Sequence, residues 1–232
     1  MAKFVFHLWW HLRVQRSPHG AIFLKLLKLL DKHLLVNVRI LAIPLPAILE
    51  LPADLLDGVS PDVTVVDTSN YYPGMRDSRI AEQGMTESVW VAKHIGQPVI
   101  KAFNNALAYT LAELGQPEGT PGGLAIAAAG DNQSSKQKVM QLVNDTGFDA
   151  VDAGSLENSW RQQPSTPAYC CDLDADAMRQ ALAAAIKGEA PKKRGQMPEH
   201  FAKLGVSPKS PTSCATSGSQ EEKSAPNQIA SI

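Results

Sequence analysis

VTVVDTSNYYP, residues 63–73, decides how the rest of the chain is read. Apolar and β-branched residues run without a break into Asp67, and the chain then turns to the short polar side chains of Thr68, Ser69 and Asn70. A strand with one wet face alternates; a continuous apolar run of this length suits a strand buried on both faces, as in a parallel sheet. The same pattern recurs in residues 37–44 (NVRILAIP), 98–103 (PVIKAF), 124–129 (LAIAAA) and 148–152 (FDAVD). Helical patterns lie between these runs. Residues 86–95 open on Thr86, the N-cap candidate, with Val89, Trp90 and Ile95 available for burial. Residues 105–114 place Leu107, Leu111 and Leu114 on one side. Residues 134–146 place Val139, Leu142 and Val143 on one side with lysines opposite, and Gly147 follows as a terminator. Residues 174–187 form an alanine-rich helical stretch ended by Gly188. Strands alternating with helices predict an α/β domain with a parallel sheet and right-handed crossovers.

Outward from that core the composition changes. Residues 37–188 form the expected domain. Residues 189–232 are a polar tail rich in Ser, Pro, Thr, Lys and Glu, expected to be disordered because it cannot bury enough surface to offset the entropy of ordering. Residues 1–36 predict one leucine- and lysine-rich helix, with Lys25, Lys28 and Lys32 on one side. Its broad apolar face is expected to cover a sheet or pack loosely, rather than to contact a membrane surface or pair with another chain. Charged residues interrupt every apolar stretch there, so neither a signal peptide nor a spanning helix is expected. The net charge is −1 and aromatics are 6% with no basic stripe beside them, which argues against nucleic acid as a partner. Three cysteines without metal-ligand spacing make neither a disulfide framework nor a zinc site, and the expected compartment is the reducing cytoplasm.

The chemistry-bearing residues cluster where the predicted strands end. Ala42, Ile43 and Pro44 close the first strand: a small residue permits close approach of a ligand, and a proline stops the strand. They would serve equally as an ordinary strand exit. Thr68, Ser69 and Asn70 offer short donors and acceptors, or simple turn chemistry. Lys101 stands inside an otherwise apolar strand, followed by Ala102, Phe103 and Asn104. Its charge must reach water, as a snorkelling side chain at the rim, or find a partner in a crevice. Asp131 is expected near a helix N-terminus, satisfying free amides. Asp152, Gly154, Ser155 and Ser159 lie on a strand exit, a glycine turn and a short helix, with Trp160 as packing.

Six segments in this order, LAIP (41–44), VDTSNYYP (66–73), ESVW (87–90), KAFNN (101–105), AGD (129–131) and DAGSLENSW (152–160), resemble the dinucleotide-binding enzymes related to the NADPH:deazaflavin (coenzyme F-420) oxidoreductases. The resemblance spans about residues 37–188. It implies a Rossmann-type fold, NADP (as NADPH) as cofactor, and hydride transfer to a flavin-like or other small-molecule acceptor. It implies that Ala42, Ile43, Pro44, Thr68, Ser69, Asn70, Lys101, Ala102 and Asn104 face the cofactor, and Asp152, Gly154, Ser155 and Ser159 the acceptor. No catalytic acid, base or nucleophile is implied, since the cofactor carries the chemistry. One element of the pattern is missing. No G-x-G-x-x-G occurs anywhere, and Gly20 is the sole glycine before residue 37. The expected fold is therefore an incomplete Rossmann-type parallel sheet with flanking helices, the segment 1–36 standing in place of the first βαβ. The edge of the first strand would be exposed, leaving room for a homo-oligomer. The competing expectation is a non-catalytic remnant that serves as a binding or structural module.

Overall fold

The structure, a computed structural model, describes residues 38–203 apart from 53, 54, 57, 61, 73–84 and 118. The helix expected in residues 1–36 and the tail beyond 203 lie outside the described residues. All five apolar runs form strands, each trimmed at its ends: β1 (Val38–Leu41), β2 (Thr64–Asp67), β3 (Val99–Lys101), β4 (Ala125–Ala128) and β5 (Asp149–Asp152). Pro98 has no N–H for the ladder, and Phe103 turns into the left-handed region at φ 61°, so β3 keeps only the three residues between Pro98 and Ala102.

β1, β2 and β3 lie side by side and parallel, with Leu41, Asp67 and Lys101 abreast at their carboxyl ends. β4 and β5 make a second parallel pair. The two groups meet at Lys101 and Ala129, whose amides exchange hydrogen bonds of 2.8 and 2.9 Å in antiparallel fashion. β4 and β5 therefore run opposite to β1–β3. The sheet is mixed α/β with parallel runs, as the sequence predicts, but its two halves point in opposite directions.

Helices cover both faces. A 3-10 turn at Leu45–Glu50 follows β1; its three-residue period stacks Leu45 and Ile48, both fully buried. With α1 (Glu87–Ile95) it packs on Val65 and Val99. The alternate side chains Val66 and Ile100 point to the other face, where α3 (Gln133–Asp145) presents Val139, Leu142 and Val143. Ile126 and Ala128 join that same layer, so α3 spans the junction of the two strand groups. Ala125, Ala127 and Ala129 face α4 (Ala175–Ala184) through Met178, Ala181 and Leu182. The short α2 (Ala108–Glu113) lies between β3 and β4. Alanines in β4 let helices approach closely on both sides.

Local details refine the sequence reading. Thr86 holds the N-cap position of α1, yet its hydroxyl donates to Glu157 instead of capping. α3 is capped by Asn132, whose side chain accepts the Ser135 amide at 2.9 Å. Asp131 stands one residue too early for that bond. It accepts the amide of Leu156 at 3.0 Å, at the start of a second 3-10 helix (Leu156–Gln162). The expectation of disorder from residue 189 is corrected: Glu189–Lys203 form helix α5. Its prolines, Pro191 and Pro198, and its many charged side chains hid it, because that composition reads as a polar tail. Among the described residues no helix is long and apolar enough to cross a membrane, and no strand pairs with the outer edge of β1.

Gly147 ends α3 at φ 90°, and a Cβ there would stand 2.9 Å from the backbone N and O of Gln116. Gly188, at φ 88°, has nothing within 4 Å. Gly147→Ala is expected to cost about 1–3 kcal/mol by chemical denaturation. Gly188→Ala meets only the conformational part, about 1 kcal/mol. Equal losses would show that the contact with Gln116 is immaterial.

Candidate functional site

Asp67 and Lys101 end neighbouring strands and sit side by side, both 0% exposed. Lys101 Nζ lies 3.2 Å from Asp67 Oδ2 and also donates to the Ser69 carbonyl. The backbone N–H and hydroxyl of Ser69 donate to Asp67 Oδ1 at 2.9 and 2.6 Å, a two-residue Asx turn. Ser88, on α1, donates to Oδ2 at 2.7 Å. Four donors thus surround one buried carboxylate, the condition under which a buried charge is tolerated. A second buried pair stands beside the first. Glu87 Oε1 accepts from Arg194 Nη1 at 2.7 Å, and Glu87 Oε2 accepts the Tyr71 amide at 3.2 Å. Burial pushes the Glu87 carboxyl above its usual range, while the Lys101 and Arg194 charges pull it back.

Carboxamides continue the network along the carboxyl edge. Asn70 Nδ2 donates to the Asn104 carbonyl at 3.0 Å and to the Tyr169 hydroxyl at 3.3 Å, and its Oδ1 accepts from Asn104 Nδ2 at 3.0 Å. Asn104 also donates to the Gln162 carbonyl, 2.8 Å. Gln162, fully buried, returns a bond to Asn104 Oδ1 at 2.9 Å and reaches the Ala127 carbonyl at 3.2 Å. Phe103, buried and left-handed, supplies the bend that carries the chain from β3 into Asn104; such a conformation persists only where packing enforces it. The Tyr72 and Tyr169 hydroxyls contact each other, and burial raises both phenols above their ordinary value.

The sequence candidates divide by strand direction. Ala42, Ile43, Thr68 and Asn70 are half-buried and Pro44 is exposed, all at the carboxyl edge of β1–β3. Thr68 is tied to β1 through both its amide and its hydroxyl, which donate to the Leu41 carbonyl at 3.2 and 3.1 Å. Ser69, Lys101, Ala102 and Asn104 are buried directly behind them. The Lys101 charge is spent inside the protein, so neither a snorkelling rim lysine nor a crevice lysine describes it. Asp152, Gly154 and Ser155 follow β5 and, because that half of the sheet is reversed, emerge at the edge where β3 begins. There Asp131, Leu156 and Glu157 line an open groove of about 500 Å³ with Pro98 and Val99. Asp152 is occupied by Lys136, at 2.8 Å, and by the Gly154 amide. Ser159 is 0% exposed, and its hydroxyl has no partner among the described residues. Gly154, at φ 90°, turns the chain so that its carbonyl accepts the Gly130 amide.

Sequence reading passed over Gln162, Tyr169, Glu87 as an ion partner, and Arg194. A glutamine or arginine in a polar stretch carries no periodic signal. The available hint was Lys101 itself, since a buried lysine demands a carboxylate. Lys101→Met strands the Asp67 charge and is expected to lower stability by about 3–5 kcal/mol in denaturant titration; a loss near zero would mean that water reaches Asp67. Burial also pushes the Cys170 thiol up to about 11, against a partial lowering by its hydrogen bond to Tyr169. Its alkylation by iodoacetamide, followed by peptide mass mapping, is expected to be slow at neutral pH. The rate should then climb about tenfold per pH unit toward that value. A plateau reached near pH 8 would contradict this.

No family model matches the chain. It is 51% identical over 92 residues to protein YjhV of Escherichia coli (strain K12), which is 40% of this chain and 67% of that protein. Among solved structures it is similar to the hypothetical protein SMa0349 from Sinorhizobium meliloti, with 28% identity, a TM-score of 0.50, and coverage of 62% of this chain and 69% of that one. It is more distantly similar to an Arthrobacter sp. FB24 protein provisionally described as an F420-dependent NADP-reductase, at 14% identity and a TM-score of 0.39, over 77% of this chain and 70% of that one. On its identity to YjhV and the share of that protein it covers, the chain belongs to the same family as YjhV.

Proposed function

We propose that the chain is a nicotinamide-dinucleotide-dependent oxidoreductase that takes the nicotinamide and ribose of NADPH at the carboxyl edge of β1–β3. The hydride would pass to a flavin-like or other small acceptor. One observation carries the reading: residues from separate motifs, Ala42, Ile43, Thr68 and Asn70, meet half-buried at the aligned ends of adjacent parallel strands. The resemblance of the six ordered motifs to the deazaflavin reductases supports it.

The residues fit the nicotinamide end. Thr68 gives its proton to Leu41 and keeps oxygen lone pairs for a ribose hydroxyl or a carboxamide N–H. Asn70 Oδ1 accepts one bond from Asn104 and has room for another. Ala42 has no side chain to obstruct a flat ring. The dinucleotide, when bound, supplies the hydride; the chain's residues orient it and exclude water. The Asp67–Lys101 pair acts from behind, fixing Ser69 and so the loop that carries Thr68 and Asn70. The pyrophosphate end is different. The sequence has no glycine-rich turn, and α1, whose N-terminus reaches this edge, presents the buried Glu87 carboxylate there. Reversal of β4 and β5 carries Asp152, Gly154 and Ser155 away from Thr68. In this proposal the acceptor therefore approaches on the side of Asn70 and the Tyr72–Tyr169 pair.

A second reading, a non-catalytic binding or structural module, is favoured by the internal partners that hold Lys101, Asn104 and the Asn70 Nδ2 donor. Titration of the full chain with NADPH, followed by nicotinamide fluorescence, separates the two. The oxidoreductase reading expects micromolar binding, weakened about tenfold by Thr68→Val and by Asn70→Ala. Absence of binding at millimolar NADPH leaves the module reading.

A further inference from the structure

Helix α5 is held in an unusual way. Of its described side chains, Ala190 and Arg194 are buried and the others are exposed. Arg194 is 6% exposed, and a single nitrogen, Nη1, makes both of its contacts, to Glu87 Oε1 at 2.7 Å and to the Tyr71 carbonyl at 3.0 Å. Glu87 Oε2 accepts the Tyr71 amide from the other side. The two charges together clamp both polar groups of one residue's backbone. That residue lies between Asn70, at the carboxyl edge, and Tyr72, whose hydroxyl meets Tyr169.

Among its described side chains, releasing α5 would expose one apolar residue, Ala190. It would, however, leave the Glu87 carboxylate buried without its cation and the Tyr71 carbonyl without a donor, and both penalties fall on the same loop. A terminal element whose described side chains bury only Ala190 and Arg194 fits the low-stability end of a fold, where opening is local. We propose that α5 is a releasable strap, latched by Arg194 on Glu87, and that the latched form fixes the Asn70–Tyr72 segment at the carboxyl edge of β1–β3. Arg194 and Glu87 are then positioning residues, acting through the Tyr71 backbone. That a ligand at this edge binds the latched form rests on the oxidoreductase reading; the latch itself does not.

Hydrogen–deuterium exchange on the full chain tests the latch. In Arg194→Ala, amides of residues 189–203 and of 70–72 are expected to exchange at least about tenfold faster together, with β4 and β5 unchanged. Arg194→Lys is expected to retain most of the protection, because one nitrogen suffices for both contacts. If Arg194→Ala also loses protection in β4 and β5, the fold as a whole has weakened. The pair Glu87→Gln with Arg194→Gln, which leaves no unpaired buried charge at the latch, then decides and should show the same local release. Rapid exchange of 189–203 in the unaltered protein would overturn the strap. Release of 189–203 without any change at 70–72 would overturn its coupling to the edge. Where the unaltered chain binds NADPH, Arg194→Ala should weaken it at least about tenfold. Where it does not, the oxidoreductase reading fails while exchange still judges the latch.

Discussion

A lysine ammonium with no water around it must be neutralised, and at Lys101 that requirement organises the molecule. Its side chain binds Asp67 on β2, while its backbone is paired with Ala129 beside β4. One residue therefore joins the two halves of the sheet and neutralises the carboxylate that anchors the Thr68–Asn70 loop. Removing two ions from water costs several kcal/mol each, repaid only by close geometry and further hydrogen bonds. Ser69 and Ser88 supply those bonds. The outcome is a rigid support placed directly behind the accessible strand ends, which is what a binding edge needs from the residues beneath it.

The antiparallel junction has an equally direct effect. In an open parallel sheet all strand exits converge on one crevice. Here β4 and β5 send their exits to the other edge, beside Pro98 and Val99. The 3-10 helix Leu156–Gln162 then carries the chain back, so that Gln162 reaches Asn104. The motifs that end β1, β2 and β3 therefore work at one edge. The motif that ends β5 starts at the opposite edge, and the 3-10 helix it opens brings Gln162, two residues beyond the motif, into the same network as Asn104. Arg194 adds a second buried charge from α5 and closes the network around Tyr71.

Much of this fold was legible in the residues. Continuous apolar runs gave five strands because a parallel strand hides both faces, and Gly147 stands in the left-handed region just past α3 as a terminator should; α4 instead ends at Ala184, before Gly188, which turns the chain into α5. Ala42, Thr68 and Asn70 were legible as residues at strand exits, and the parallel register brings those exits to one edge. The sequence by itself determined the periods, the strand ends and the presence of a lysine whose charge needed an answer. Tertiary structure alone decided what answered it. Pairing Lys101 with Asp67, turning β4 against β3 and bringing Arg194 to Glu87 join residues 34, 28 and 107 positions apart, respectively. Local propensity cannot encode such pairings; the cost of an unpaired charge or amide in a dry interior selects them once the chain has packed.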